Sequence, residues 1–299
     1  MMRIDSPLTL SEFFEDEFLT EHVNMTENSA QQYRVAIRQL NRFHERPVFL
    51  IDLSKELILR FMRALKAPGT RSERTINNKR QAILTIWREA AELRLCDPPG
   101  KIPKLVEPTR IVRAWTVDEV SRLLDACEFA QRLDGWDRRH WKALCLTIYD
   151  TSHRIGALLQ TSRASLDGSG YLLVLARHSK QKTDKLHKLH AETIAAINEL
   201  PPANLLFPWP KRKRAIWPAF RAILKAAKLP ATRKDLFHKI RRTSFTYVYA
   251  LLGADAAREQ AAHSTDMRKS YLDVELLKLL QNRPSPTDVM PRPRPRPSN

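Results

Sequence analysis

Apolar residues recur at helical spacing along most of the 299-residue chain. Tyr33, Ile37, Leu40 and Phe43 fall on one face of a predicted helix; Leu57, Ile58, Phe61, Met62 and Leu65 form a second stripe. Ile83, Ile86, Trp87, Ala90 and Ala91 follow the i, i+3, i+4, i+7, i+8 rule of an amphipathic helix. After Cys96 the pattern stops at Asp97-Pro98-Pro99-Gly100-Lys101-Ile102-Pro103-Lys104, with Pro108 beyond, which reads as an extended linker. A new helix opens at Thr116-Val117-Asp118-Glu119, a capping box of the S/T-x-x-E type, with Val120, Leu123, Leu124 and Cys127 as its buried stripe. The period changes once. Asp167-Gly168-Ser169-Gly170 is a turn, Tyr171 to Ala176 has strand composition, and Leu186-His187-Lys188-Leu189-His190 alternates apolar and polar, so residues 171–190 predict an antiparallel hairpin. Helices are expected again at 191–199, 214–227, 235–252 and 255–280. The resulting organisation is a helical unit over 8–97, a linker over 98–113, a second mainly helical unit over 114–280, and an extended Pro/Arg tail over 281–299.

Charge narrows the partners. The chain carries 51 Lys+Arg against 33 Asp+Glu, a net charge of +18. The excess is segregated: residues 1–30 are net negative, while most of the positive charge follows residue 100. Each lysine or arginine set against a phosphate releases condensed counterion, so a nucleic acid is the simplest partner, although charge alone also suits a ribosomal-type protein or a binder of anionic membranes. Arg71, Arg74, Lys79 and Arg80 stand in or just before the first turns of the third helix, where they oppose the macrodipole and make better sense reaching out to phosphate. The first residues carry no apolar signal region, and no apolar run reaches the roughly 18 residues that a spanning helix needs. Three widely spaced cysteines, Cys96, Cys127 and Cys145, form no CxxC pair, which fits a reducing cytoplasm and neither a disulfide framework nor a thiolate zinc site. There is no P-loop, G-x-S-x-G, HExxH or GxGxxG, and the histidines lack ligand-spaced partners, so no metal or cofactor is expected.

The chemistry concentrates in a few segments. Phe237-His238-Lys239-Ile240-Arg241-Arg242 places His238 and Arg241 on one helix face. Upstream, Tyr149-Asp150-Thr151-Ser152-His153-Arg154-Ile155-Gly156 sets one arginine in an apolar frame, where a charge is costly without an anionic partner. Lys182 lies in the hairpin turn, between Lys180 and Lys185; downstream come His263 and, after Arg268-Lys269-Ser270, Tyr271. Tyr247 and Tyr249 compete with Tyr271 on a bare reading.

Arg, Lys, His-x-x-Arg, His and Tyr in that order resemble the tyrosine recombinase (phage integrase) family over nearly the whole chain. Thr75-Ile76-Asn77-Asn78-Lys79-Arg80-Gln81-Ala82-Ile83 running into Trp87 and Ala90 looks like its core-binding domain, Ala114-Trp115-Thr116-Val117-Asp118-Glu119-Val120 like the opening of its catalytic domain, and Leu205-Leu206-Phe207-Pro208 also fits. The resemblance implies a SAM-like helical core-binding domain followed by an α-helical catalytic domain with a small β-hairpin, the DNA breaking-rejoining enzyme fold. It implies site-specific cleavage and rejoining of double-stranded DNA through a 3′-phosphotyrosine, by a homo-tetramer on paired sites that is a monomer or dimer without DNA, associated with the nucleoid in the cytoplasm. Arg154, Lys182, His238, Arg241 and His263 match its catalytic positions and Tyr271 its nucleophile, with Lys180 and Lys185 as close rivals to Lys182; Arg71, Arg74, Lys79, Arg80, Lys180 and Lys185 are the expected DNA contacts. A non-catalytic DNA-binding relative and a type IB topoisomerase-like nicking-closing enzyme would share the fold. The chain departs from the family at Ser152, where a glycine is usual, at Ala157, where an acid is frequent, at Ala262, where a glycine is usual, and in a His263–Tyr271 spacing one residue short.

Overall fold

The computed structural model describes residues 7–108, 111–128, 130, 136–179 and 182–261. The chain divides into two compact units, Met1–Thr109 and Arg110–Asn299.

Among its described residues the first unit's regular elements are helices, with one isolated antiparallel bridge between Thr9 and Phe49. A helical stretch begins at Leu10 behind a capping box of Thr9 and Glu12, and its middle, Phe13–Phe18, is wound as a π-helix that turns Phe13, Phe14 and Phe18 all inward. Helices α1 (Glu27–His44), α2 (Lys55–Lys66) and α3 (Glu73–Glu92) follow, each started by a hydroxyl N-cap: Thr26, Ser54 and Ser72. The expected stripes make the core, with Ile37, Leu40, Ile58, Phe61, Met62, Ile83, Ile86, Trp87 and Ala90 all buried. Part of the acidic N-terminal charge is spent inside this unit, because Glu15 and Glu27 both grip Arg34 at 2.7 Å.

The Pro-rich segment is extended, as its composition predicts, but part of it is strapped to the first unit. Ile102 joins that unit's core. Asn77 clamps Leu105 from both sides, its Nδ2 donating to the Leu105 carbonyl and its Oδ1 accepting from the Leu105 N–H, each at 2.9 Å. Trp87 Nε1 donates to the Asp97 carbonyl at 2.7 Å. Backbone polar groups that would otherwise be solvated are thereby satisfied by side chains of α3.

The second unit holds α4 (Val117–Glu128), α5 (Arg138–Thr151), the short α6 (Ile155–Leu158), strands β1 (Tyr171–Val174) and β2 (Lys185–Lys188), then α7 (Ala191–Asn198), α8 (Ile216–Ala226) and α9 (Phe237–Gln260). The capping box forms at Thr116 and Glu119, closed at 2.9 and 3.2 Å. The hairpin forms as an antiparallel pair in the register Tyr171 with Lys188 through Val174 with Lys185. Helix α5 is buried from His140 to Thr151 except at Lys142, and is the central rod on which α4, α7 and α9 pack. A cluster of Trp136, Trp141, Trp209, Phe220 and Phe237 fills the space beside it. Gly253, at φ 88° and ψ −178°, interrupts α9 at the position where the sequence predicts one helix to end and the next to begin.

Candidate active site

The site is built where α5 ends and α9 begins. Ser152 terminates α5 in the left-handed region at φ 52°, its N–H returning to the Ile148 carbonyl. This is the position at which the family usually has glycine, and the backbone conformation supplies the reason. Here the serine hydroxyl donates to Ser244 Oγ of α9 at 2.7 Å, with both residues wholly buried. The sharp turn delivers Arg154, half-buried, as the residue that starts α6. Ala157 is buried in the core, so the frequent acidic position is here an apolar packing position.

Helix α9 brings the second cationic group. Arg241 is 1% exposed and donates through Nη2 to the Ala261 carbonyl at 2.8 Å. Gln260 Nε2 donates to the Asp150 carbonyl at 2.6 Å, so the end of the described chain is held against the end of α5. His238 lies one turn before Arg241 and keeps an exposed face. Desolvation, then the charges of Arg241, Arg242 and Arg154, push its imidazole down to about 4. Arg154 and Arg241 are thus both near enough to His238 for their charges to act on its ring.

A cavity of about 200 Å³ opens beside Arg154, lined by His153, Gly156, Ala157, Gln160, His178 and Ser179. A Cβ on Gly156 would come within 3.1 Å of Lys213 Nζ, so the glycine leaves room for the lysine's ammonium. Lys182 stands exposed in the strand connection at φ 51°, its N–H donating to the Ser179 carbonyl at 3.1 Å. Lys185 is half-buried in β2 and close enough to His153 and His187 to depress both imidazoles. Lys180, His263 and Tyr271 lie outside the described residues. Of the competing phenols, Tyr247 is 1% exposed within the core and Tyr249 packs against Phe245.

In the first unit Arg71 and Arg74 are exposed and Lys79 is half-buried, its ammonium pK lowered by burial and by Arg71. Arg80 departs from expectation. It is 6% exposed and donates to the Ile102 carbonyl, so this arginine holds the extended segment and does not face outward to DNA. Lys239 likewise turns inward, pairing with Asp235 at 3.3 Å and resting 5.4 Å from the Trp115 ring.

Two histidines had no assigned part on sequence grounds. His153 and His187 meet Nε2 to Nε2 at 2.8 Å while 4% and 8% exposed. Burial first, then neighbouring positive charge, holds them near about 3 and about 4. Their separation of 34 positions leaves no local sequence signature, apart from His187 falling on the inward face of an alternating strand. Among the described residues no three metal-ligating side chains converge, and no helix is long and apolar enough to cross a membrane.

Residues 9–99 match the phage integrase SAM-like domain family. No curated protein matches the chain significantly in sequence. Solved structures resemble the chain through both the SAM-like domain and the unit that follows it. A lambda integrase fragment (75–356), a dimer bound to a COC′ core site, aligns with a TM-score of 0.68 at 16% identity, covering 92% of this chain and 96% of that one. A lambda integrase tetramer bound to a Holliday junction gives 0.69 at 17% identity, covering 88% and 80%. The Tn1549 transposon integrase (aa 82–397) in complex with circular intermediate DNA gives 0.65 at 16%, covering 89% and 95%. The fold is shared with these integrase structures: a SAM-like domain is followed by a unit that, among the described residues, is mainly helical with one small antiparallel sheet.

Proposed function

We propose that the chain is a site-specific DNA recombinase that cleaves and rejoins double-stranded DNA through a 3′-phosphotyrosine. The observation that carries this reading is the grouping of Arg154, His238 and Arg241, brought from two elements 84 or more positions apart to one end of α5. Two guanidiniums suit the non-bridging oxygens of one phosphodiester, where they offset the charge that grows as phosphorus becomes five-coordinate. His238, its imidazole pushed down by burial and by the neighbouring arginines, is neutral at pH 7 and is the assigned acceptor of the attacking phenol's proton. Tyr271 is the assigned nucleophile; an ordinary phenol, with a pKa of about 10, calls for such a base and for cationic neighbours. Lys182, on the strand connection, is the assigned acid for the departing 5′-oxygen. His263 donates to a phosphate oxygen, and the carbonyl two residues before it, that of Ala261, already rests on Arg241.

The phosphotyrosine conserves the energy of the broken bond, so religation needs no nucleotide. The similar lambda integrase structures, a dimer on a core site and a tetramer on a Holliday junction, support assembly of four protomers on two sites. Exposed Arg71 and Arg74 in the SAM-like domain, and Lys213 beside Gly156, supply phosphate contacts along the duplex. The test is covalent trapping on nicked duplexes tiled across the DNA that flanks the gene. Wild type is expected to give a denaturation-resistant protein–DNA adduct on at least one tile, and Tyr271→Phe to bind that tile equally well with no adduct. Specific binding by wild type without an adduct would make the protein a DNA binder only; relaxation of plasmid lacking any target would make it a nicking-closing enzyme.

A further inference from the structure

The His153–His187 contact takes no part in the chemistry above, yet it touches that chemistry on both sides. His153 directly precedes Arg154. His187 lies on β2 opposite Leu172, five residues past Lys182. Their rings meet edge-on at 86°, with centroids 4.7 Å apart. Described residues of the strand connection between β1 and β2 are tied to one another: Ser179 lines the Arg154 cavity, its carbonyl accepts from the Lys182 N–H, and Asp184 Oδ1 accepts from the Ala176 N–H at 2.5 Å. The hairpin therefore forms one wall of the arginine's cavity, and the histidine pair is a buried side-chain bond joining that hairpin to the arginine's own backbone.

Two imidazoles that share one hydrogen bond take opposite tautomers, one offering Nε2–H and the other a lone pair. The groups facing them are cationic: Arg154 from the α6 start, Arg241 from α9 and Lys185 from β2, so a second proton on the pair is opposed from every side. The contact holds at neutral pH without a change of charge. A buried polar pair fixes a relative placement that two apolar side chains would leave free to slide.

We propose that the His153–His187 bond is the strut that sets the hairpin lysine, Lys182, against the phosphate held by Arg154, which makes both histidines positioning residues for protonation of the leaving group. This rests on the recombinase reading and on Lys182 as its acid. In the cleavage step the Tyr271 Oη–P bond forms and the P–O5′ bond breaks. The phenolic proton passes to His238, and the Lys182 ammonium gives its proton to O5′, leaving a 5′-hydroxyl and a neutral amine. If O5′ is replaced by sulfur, the departing thiolate needs no proton, so a defect confined to the acid step disappears.

The experiment uses the full chain and two nicked duplexes, identical except for oxygen or sulfur at the 5′-bridging position of the scissile phosphate. His187→Ala is expected to form adduct about 100-fold more slowly than wild type on the oxygen substrate, the scale of general-acid catalysis, and within about threefold of wild type on the sulfur substrate. DNA affinity stays unchanged, and Lys182→Ala shows the same split. His187→Gln and His153→Gln, which keep a hydrogen-bonding amide, are expected to recover part of the oxygen-substrate rate, and they decide the matter should the alanine variant not fold. Equal losses on both substrates, or wild-type rates on both, would overturn the strut. Failure of wild type to cleave either duplex would instead overturn the recombinase reading, before any variant is compared.

Discussion

The turn that delivers Arg154 can be tested through Ser152. Its backbone sits at φ 52°, where a residue with a Cβ pays about 1–2 kcal/mol, and its hydroxyl donates to Ser244 Oγ at 2.7 Å with no part of either residue exposed. Ser152→Ala keeps the backbone cost and loses a wholly buried bond, a loss of about 1–3 kcal/mol. Ser152→Gly loses the same bond but sheds the backbone cost, so it should be about 1 kcal/mol more stable than the alanine variant. Ser244→Ala strands the Ser152 donor and should fall in the range of Ser152→Ala, and the double alanine variant should cost less than the sum of the two single changes. For a unit the size of Arg110–Asn299, 1 kcal/mol corresponds to about 2–4 °C in the unfolding midpoint. Five of the six tryptophans lie in that unit, so thermal unfolding followed by tryptophan fluorescence reads it selectively. Equal midpoints for the glycine and alanine variants would refute the backbone part of the reasoning. A Ser244→Ala midpoint at the wild-type value would refute the hydrogen-bond part. Because Arg154 is only two residues on, Ser152→Ala should also slow adduct formation on target DNA.

Two further outcomes follow. Arg80→Ala should destabilise the first unit by about 1–3 kcal/mol, by stranding the buried Ile102 carbonyl, while the salt dependence of DNA binding stays the same; Arg74→Ala should leave stability unchanged and lower the slope of log K against log salt by about 1. The histidine pair makes stability pH-dependent. Its folded imidazoles lie near about 3 and about 4, below the unfolded value of about 6.5, so the unfolded chain takes up protons first. Stability is therefore complete above pH 6.5 and falls as the pH drops from there towards 4. At pH 5.5 the loss is about 1.4 kcal/mol for each ring, and a His153→Gln/His187→Gln variant should show a correspondingly shallower decline in its unfolding midpoint between pH 7.5 and 5.5; an equally steep decline would contradict this.

Local periodicity carried most of the fold. The stripes of α1 to α3, the Thr116–Glu119 capping box and the hairpin were legible because each depends on residues a few positions apart. The grouping of Arg154, His238 and Arg241 was legible only through the order of a family motif, since nothing local pairs residue 154 with residue 241. What was hidden is the polar stitching between distant positions. Arg80 looked like a phosphate contact because charge suggests exposure, yet a guanidinium can be buried when a backbone carbonyl receives it. The linker looked unattached because Asn77 and Leu105, 28 positions apart, share no periodic relation. His153 and His187 were hidden for the same reason.

The central claim is that Tyr271 becomes joined to DNA. Mass spectrometry of a proteolysed, nuclease-trimmed adduct, formed on a nicked duplex carrying the target, tests this most directly. A nucleotide 3′-phosphate attached to the peptide containing Tyr271 is the predicted result. A linkage through Tyr247, Tyr249 or any other side chain, or a phosphodiester joined through the 5′ end, would contradict it.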